Sequence, residues 1–119
     1  MIEFSNYEEA KLLQIAIMLR RLGLYRNYKG YNRLAYAVYL VTENSSRLEA
    51  VVKEVYMPVA EKYHCSWGAV ERCLRHIILK TWTFNYDELC ELADTKLKKP
   101  PTPAELLDIF AVYLSAVNA

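Results

Sequence analysis

The chain reads as an all-α bundle of about six helices built around a helix-turn-helix, and three observations carry that reading. Apolar residues recur at a 3.6-residue period in every long segment, while none alternates with the period of two that a half-buried strand needs. Helix-start signatures punctuate the chain at Ser5-Asn6-Tyr7-Glu8, Ser46-Arg47-Leu48-Glu49, Ser66, Asn85-Tyr86-Asp87-Glu88 and Thr102-Pro103-Ala104-Glu105. The stretch from Pro58 to Trp82, PVAEKYHCSWGAVERCLRHIILKTW, has the form of a short helix, a tight turn and a longer second helix.

In order, the first helix is expected to start at the Ser5 capping box and to run through Leu12, Leu13, Ala16, Ile17 and Leu19. It should stop at Gly23, which suits the left-handed position past a helix end. Leu24 to Arg33, LYRNYKGYNR, interleaves Tyr25, Tyr28 and Tyr31 with Arg26, Lys29 and Arg33, a composition able to touch phosphates, although the rings read first as core filler. A helix from about Tyr31 to Thr42 follows. The Ser46 box opens a short helix that Pro58 should end by restricting Met57. After Trp82 come a small helix through Leu89, Cys90 and Leu92, an exposed basic loop from Lys96 to Lys99, and a terminal helix capped by Thr102 with Pro103 at its first position.

Pro58 equally suits the first turn of the helix-turn-helix, where Val59, Ala60 and Tyr63 form its short apolar face. His64 stands at the turn position where glycine is commonest, and histidine is among the non-glycine residues that tolerate a positive φ. Ser66 then caps a second helix whose stripe, Val70, Cys73, Leu74, Ile77, Ile78 and Thr81, should face the core. The opposite arc holds Gly68, Glu71, Arg72, Arg75, His76 and Leu79. Small Ala60 and Val70 permit the close crossing a helix-turn-helix requires, and the arc is then the surface that enters a DNA groove. The competing reading is an amphipathic helix with a solvated basic face.

Composition bounds the alternatives. At 119 residues and 54% hydrophobic the chain can bury a core, and with three glycines and four prolines it has no evident linker, so 1–119 is expected to be one domain. A formal net charge of +1 argues for a local patch, and between Lys62 and Lys80 four basic residues face only Glu71. Lys29, Lys62 and Lys80 are candidate phosphate contacts. Cys65, Cys73 and Cys90 are odd in number and lack a CxxC spacing, which points to a reducing, cytoplasmic setting. Those cysteines with His64 and His76 contain zinc-type atoms, but Cys73 belongs to the buried stripe and no second pair is spaced as ligands; no metal and no cofactor is expected. No GxSxG, HExxH, Walker or GxGxxG string occurs, so catalysis is not expected. No apolar run approaches the roughly 20 residues that span a bilayer. Trp67 and Trp82, which bracket the second helix, read as packed ends, with Trp67 also within reach of a sugar-phosphate backbone.

Beyond these readings the chain resembles the C-terminal effector domain of Spo0A, the regulator of sporulation in endospore-forming bacteria. The residues that carry the resemblance are Lys29-Gly30-Tyr31, Tyr56 and Pro58 of YMPVAEKY, Val70-Glu71-Arg72 and Arg75-His76 with Trp82, and Lys99-Pro100 with Pro103-Ala104-Glu105. It spans about residues 12 to 114. The resemblance implies six helices around a helix-turn-helix whose second helix enters the major groove of promoter double-stranded DNA, with contacts falling on Glu71, Arg72, Arg75 and His76. Ser66, Trp67, Gly68 and Leu79 complete the candidate surface. It also implies tandem homodimers on DNA and contact with the sigma subunit of RNA polymerase. Two departures stand out: only a short lead precedes the first helix where the family carries a phospho-acceptor receiver, and Gly68-Ala69 and Leu79 replace a Ser-Arg pair and a Glu. The alternative is a relative that has lost specific DNA binding and acts through protein contacts.

Overall fold

The computed structural model describes residues 2–118, with side chains from residue 6 onward. Its described residues form α1 (Ile2–Arg20), α2 (Tyr31–Glu43), a 3-10 turn (Ser45–Ala50), a π turn (Val52–Tyr56), α3 (Met57–Lys62), α4 (Trp67–Phe84), α5 (Tyr86–Ala93) and α6 (Pro103–Val117), with no strand among them. Helix α4 packs against α2, α3, α5, α6 and the π turn, so its apolar stripe is the common wall of the core. Val70, Leu74, Ile77, Ile78 and Thr81 are all buried there as expected, with Cys73 packed at the edge. Thr81, the one buried polar side chain among the described residues, donates back to the carbonyls of Ile77 and Ile78 at 3.0 and 3.1 Å, which removes the cost of an unpaired hydroxyl.

Helix α1 departs from expectation at both its start and its face. It begins at Ile2, so Ser5 lies inside the helix and not at its cap. Its buried side is Ile15, Ala16, Met18 and Leu19, continued past its end by Leu22, whereas Leu13 and Ile17 are more than half exposed. A helix with apolar residues nearly all round offers several stripes of similar hydrophobicity, and packing against α2 selects one. Its end is as expected: Gly23 has φ +74, Leu24 N–H donates to Leu19 C=O at 3.0 Å and Gly23 N–H to Arg20 C=O at 3.0 Å, the paired bonds of a Schellman turn.

The Pro58 junction is the largest correction. Met57 is helical (φ −66, ψ −44), and the chain runs from the π turn into α3 without a break. Pro58 has no N–H to offer the carbonyl of Glu54 four residues back. Arg47 supplies the missing donor, its Nη1 lying 2.6 Å from that carbonyl and 3.7 Å from the Glu54 carboxylate. Met57 N–H meanwhile bonds Val52 C=O in the wider i→i−5 register. The Ser46 box is also not formed. Asn44 caps the 3-10 turn instead, its Oδ1 accepting from Ser46 N–H at 3.2 Å and from Ser46 Oγ at 2.7 Å. Asn85 stands before α5 without a side-chain cap bond. The Thr102 box is complete, with Glu105 N–H donating to Thr102 Oγ1 and Thr102 N–H to Glu105 Oε1 at 2.8 Å.

Candidate nucleic-acid interface

The turn between α3 and α4 is built by the same device that ends α1. Cys65 N–H donates to Ala60 C=O at 3.0 Å and His64 N–H to Glu61 C=O at 3.4 Å, with His64 at φ +56 in the place glycine takes after α1. Ser66 then extends (φ −85, ψ 156) and its Oγ accepts from Ala69 N–H at 3.1 Å, starting α4 one residue later. Val59, Ala60 and Val70 are buried at the crossing. Their small volume lets the two helices approach, and the crossing turns the polar arc of α4 outward.

On that arc Arg72, Arg75, His76 and Leu79 are exposed, with Leu79 at 63% of its full area. Glu71 is half-buried and accepts from Arg75 Nη2 at 3.1 Å across one helical turn. Beneath this pair lies the buried ring of Tyr56, whose hydroxyl is pushed up first by burial and then by the Glu71 carboxylate, with Arg75 opposing. A Cβ on Gly68 would meet only ordinary contact, 3.5 Å from an Arg72 guanidinium nitrogen. Trp67 does not pack as expected: it is 44% exposed in the first turn of α4. Trp82 is half-buried, edge-to-face on Tyr86 at 4.9 Å.

Of the three lysines named as phosphate contacts, two are engaged by the fold. Lys62 Nζ lies 4.9 Å from the centre of the Tyr36 ring and 5.9 Å from that of Tyr63, on the α2 side of α3. Lys80 Nζ lies over Tyr28 at 5.5 Å and donates to Gly23 C=O at 3.4 Å. Lys29 is exposed and lines a groove of about 430 Å³ between the Tyr28–Arg33 segment and the Ala69, Arg72, Cys73 and His76 side of α4. Arg33 lines the same groove; the sequence marks it only as one base of a segment able to touch phosphates, and the tertiary fold is what sets that segment against α4. Gly30 is the hinge of that contact. Its φ is +87, and a Cβ on it would collide with Cys73 Sγ, whose thiol sits 3.5 Å from Gly30 C=O. A shallower surface continues past the Arg72 and His76 ridge to Arg75 and Leu79.

Residues 15–114 match the family described as sporulation initiation factor Spo0A C terminal, which spans most of the chain and the entire helix-turn-helix. The chain belongs to the Spo0A C-terminal family. It is a family of DNA-binding transcription regulator domains of sporulation, not one of enzymes. Within this Spo0A C-terminal domain the matched region takes in α4 and its arc, the Tyr28–Arg33 segment and nearly all of α6. None of the helices among the described residues is long and apolar enough to cross a membrane.

Proposed function

We propose that the chain is a sequence-selective DNA-binding regulator whose helix α4 lies in the major groove and whose other helices hold it there. The observation that carries this reading is the outward arc of α4, where Arg72, Arg75 and His76 project from a helix whose opposite stripe is wholly committed to the core. Arginine can donate to guanine O6 and N7 together, and Glu71 can accept from cytosine N4 if it exchanges its bond to Arg75. Lys29 contacts phosphate, while Ser66, Trp67 and Gly68 bring the start of α4 to the backbone. Acting on chromosomal DNA, the protein works in the cytoplasm. Two copies on adjacent half-sites and a sigma subunit of RNA polymerase are its proposed partners, with Leu79 as the apolar surface a neighbour covers.

Unbiased selection from random duplexes with the purified chain tests the reading. Enrichment of one motif is expected, with affinity falling as salt rises by a logarithmic slope of about −0.9 for each phosphate neutralised. Unselective enrichment would leave a module that works through protein contacts. Sedimentation on duplexes with one and two half-sites tests pairing, since a second copy that binds no more tightly than the first contradicts it.

A further inference from the structure

The groove beside α4 has a charge pattern that the fold itself leaves unanswered. Lys29 and Arg33 come from the loop side and Arg72 from the helix, with His76 next to it, and no carboxylate lines the groove. Elsewhere Arg21, Arg47 and Arg75 each have an acidic partner within 4 Å, whereas none of Lys29, Arg33 and Arg72 has one among the described residues. Bringing three fixed cations to one concavity costs energy unless an anion joins them. The start of α4, represented in the wall by Ala69, adds the positive end of an 18-residue helix. Cys73 contributes no negative charge, because burial pushes its thiol up and it stays neutral. The wall is also held in place: Gly30 lets the loop close onto Cys73 where any side chain would prop it open.

We propose that this groove seats one phosphate of the DNA backbone, held by Lys29 from the loop before α2, by Arg33 from the first turn of α2 and by Arg72 from α4, so that the Tyr28–Arg33 segment forms a second wall of the interface. The assignment rests on α4 facing DNA. Arg72 and His76 form the ridge between the groove and the surface that carries Arg75 and Leu79. With the Arg75 side against base edges, the strand bordering the major groove runs along the opposite flank of the ridge, where the groove lies. Its contact is blind to sequence and adds affinity and register.

The test uses the selected duplex and the whole chain. Arg33→Gln is expected to weaken binding roughly tenfold, the size of one charge-assisted hydrogen bond, with the selected motif unchanged. Its salt slope should fall by about 0.9, and Arg33→Lys, which keeps the charge, should recover most of the affinity. Lys29→Gln, on an exposed loop position, should act in the same direction. Replacing backbone phosphates one at a time by neutral methylphosphonate then locates the partner. At one position the substitution should reproduce the Arg33→Gln loss in the wild type and cost the variant nothing further. Full affinity in Arg33→Gln, an altered motif, or additive losses at every methylphosphonate position would overturn the proposal. If the wild type selects a motif and Arg75→Ala disturbs it while Arg33→Gln is silent, the groove alone fails; if the wild type binds no duplex, the DNA reading fails and the groove with it.

Discussion

Helix α4 has two faces that obey different rules. On one, Val70, Leu74 and Ile77 have no exposed area at all, and every residue has a partner supplied by the same chain. On the other, Arg72, Arg75, His76 and Leu79 reach solvent, and the Glu71–Arg75 pair is the single ionic contact recorded on that face among the described residues. Their periodicity is the same, so the difference lies in what meets each face. The inner face is explained by folding alone, while the outer one carries charge and a bare leucine that folding does not use. Residues that stabilise and residues that recognise are therefore separable within one helix, and substitutions should divide them.

The largest effect belongs to the inner face. Leu74→Ala should cost about 2–5 kcal/mol in urea unfolding, as truncation of a sealed leucine does, while the protein that remains folded selects the same DNA motif. Wild-type stability in that variant would break the comparison. Next comes the junction that orients both faces. Arg47→Ala leaves the Glu54 carbonyl without its donor and should cost about 1.5–3 kcal/mol. In a Pro58→Ala background the new backbone N–H can take over, so the same Arg47 substitution should there cost far less; equal costs in both backgrounds would refute the substitution of a guanidinium for the missing amide.

On the outer face, Arg75→Ala should leave the unfolding midpoint nearly unchanged yet weaken specific binding by roughly 1–3 kcal/mol and relax preference at one base pair. A loss spread evenly over all sequences would reassign Arg75 to phosphate. Ser66→Ala removes the acceptor for Ala69 N–H and should cost about 1 kcal/mol of stability. Smallest is Glu71→Gln, where a partly exposed pair is worth roughly 0.3–0.5 kcal/mol in thermal unfolding. Its sharper readout is the motif, which should shift if Glu71 accepts from a base and stay constant if it only holds Arg75.

Three helices end in the same Schellman geometry, and they differ in how plainly the chain announces it. Gly23 is visible because glycine is the residue that enters the left-handed region without strain, and His64 because it stands at the turn of a helix-turn-helix. Asp94, at φ +56 after α5 with Thr95 N–H bonded to Cys90 C=O, offers no such context. Caps show a similar gradation. Ser66 and Thr102 act as their positions suggest, but Ser46 and Asn85 carry the same local pattern and make no such cap, and Ser5 lies inside α1. A capping box costs little to write into a chain, and whether it forms depends on where neighbouring turns place the backbone.

The all-α character, the helix-turn-helix and the division of α4 into an apolar stripe and a polar arc were determined by the chain alone, because each depends on spacing within a few turns of one helix. Tertiary structure decided the rest. Which stripe of α1 is buried depends on α2, and whether Pro58 breaks a helix depends on Arg47, eleven residues away. Lys62 and Lys80 are drawn to tyrosines on other elements, while Arg33 and Lys29 are brought beside Arg72. These outcomes need contacts between segments distant in the chain, and periodicity, which compares a residue only with its neighbours on one element, holds no information about them.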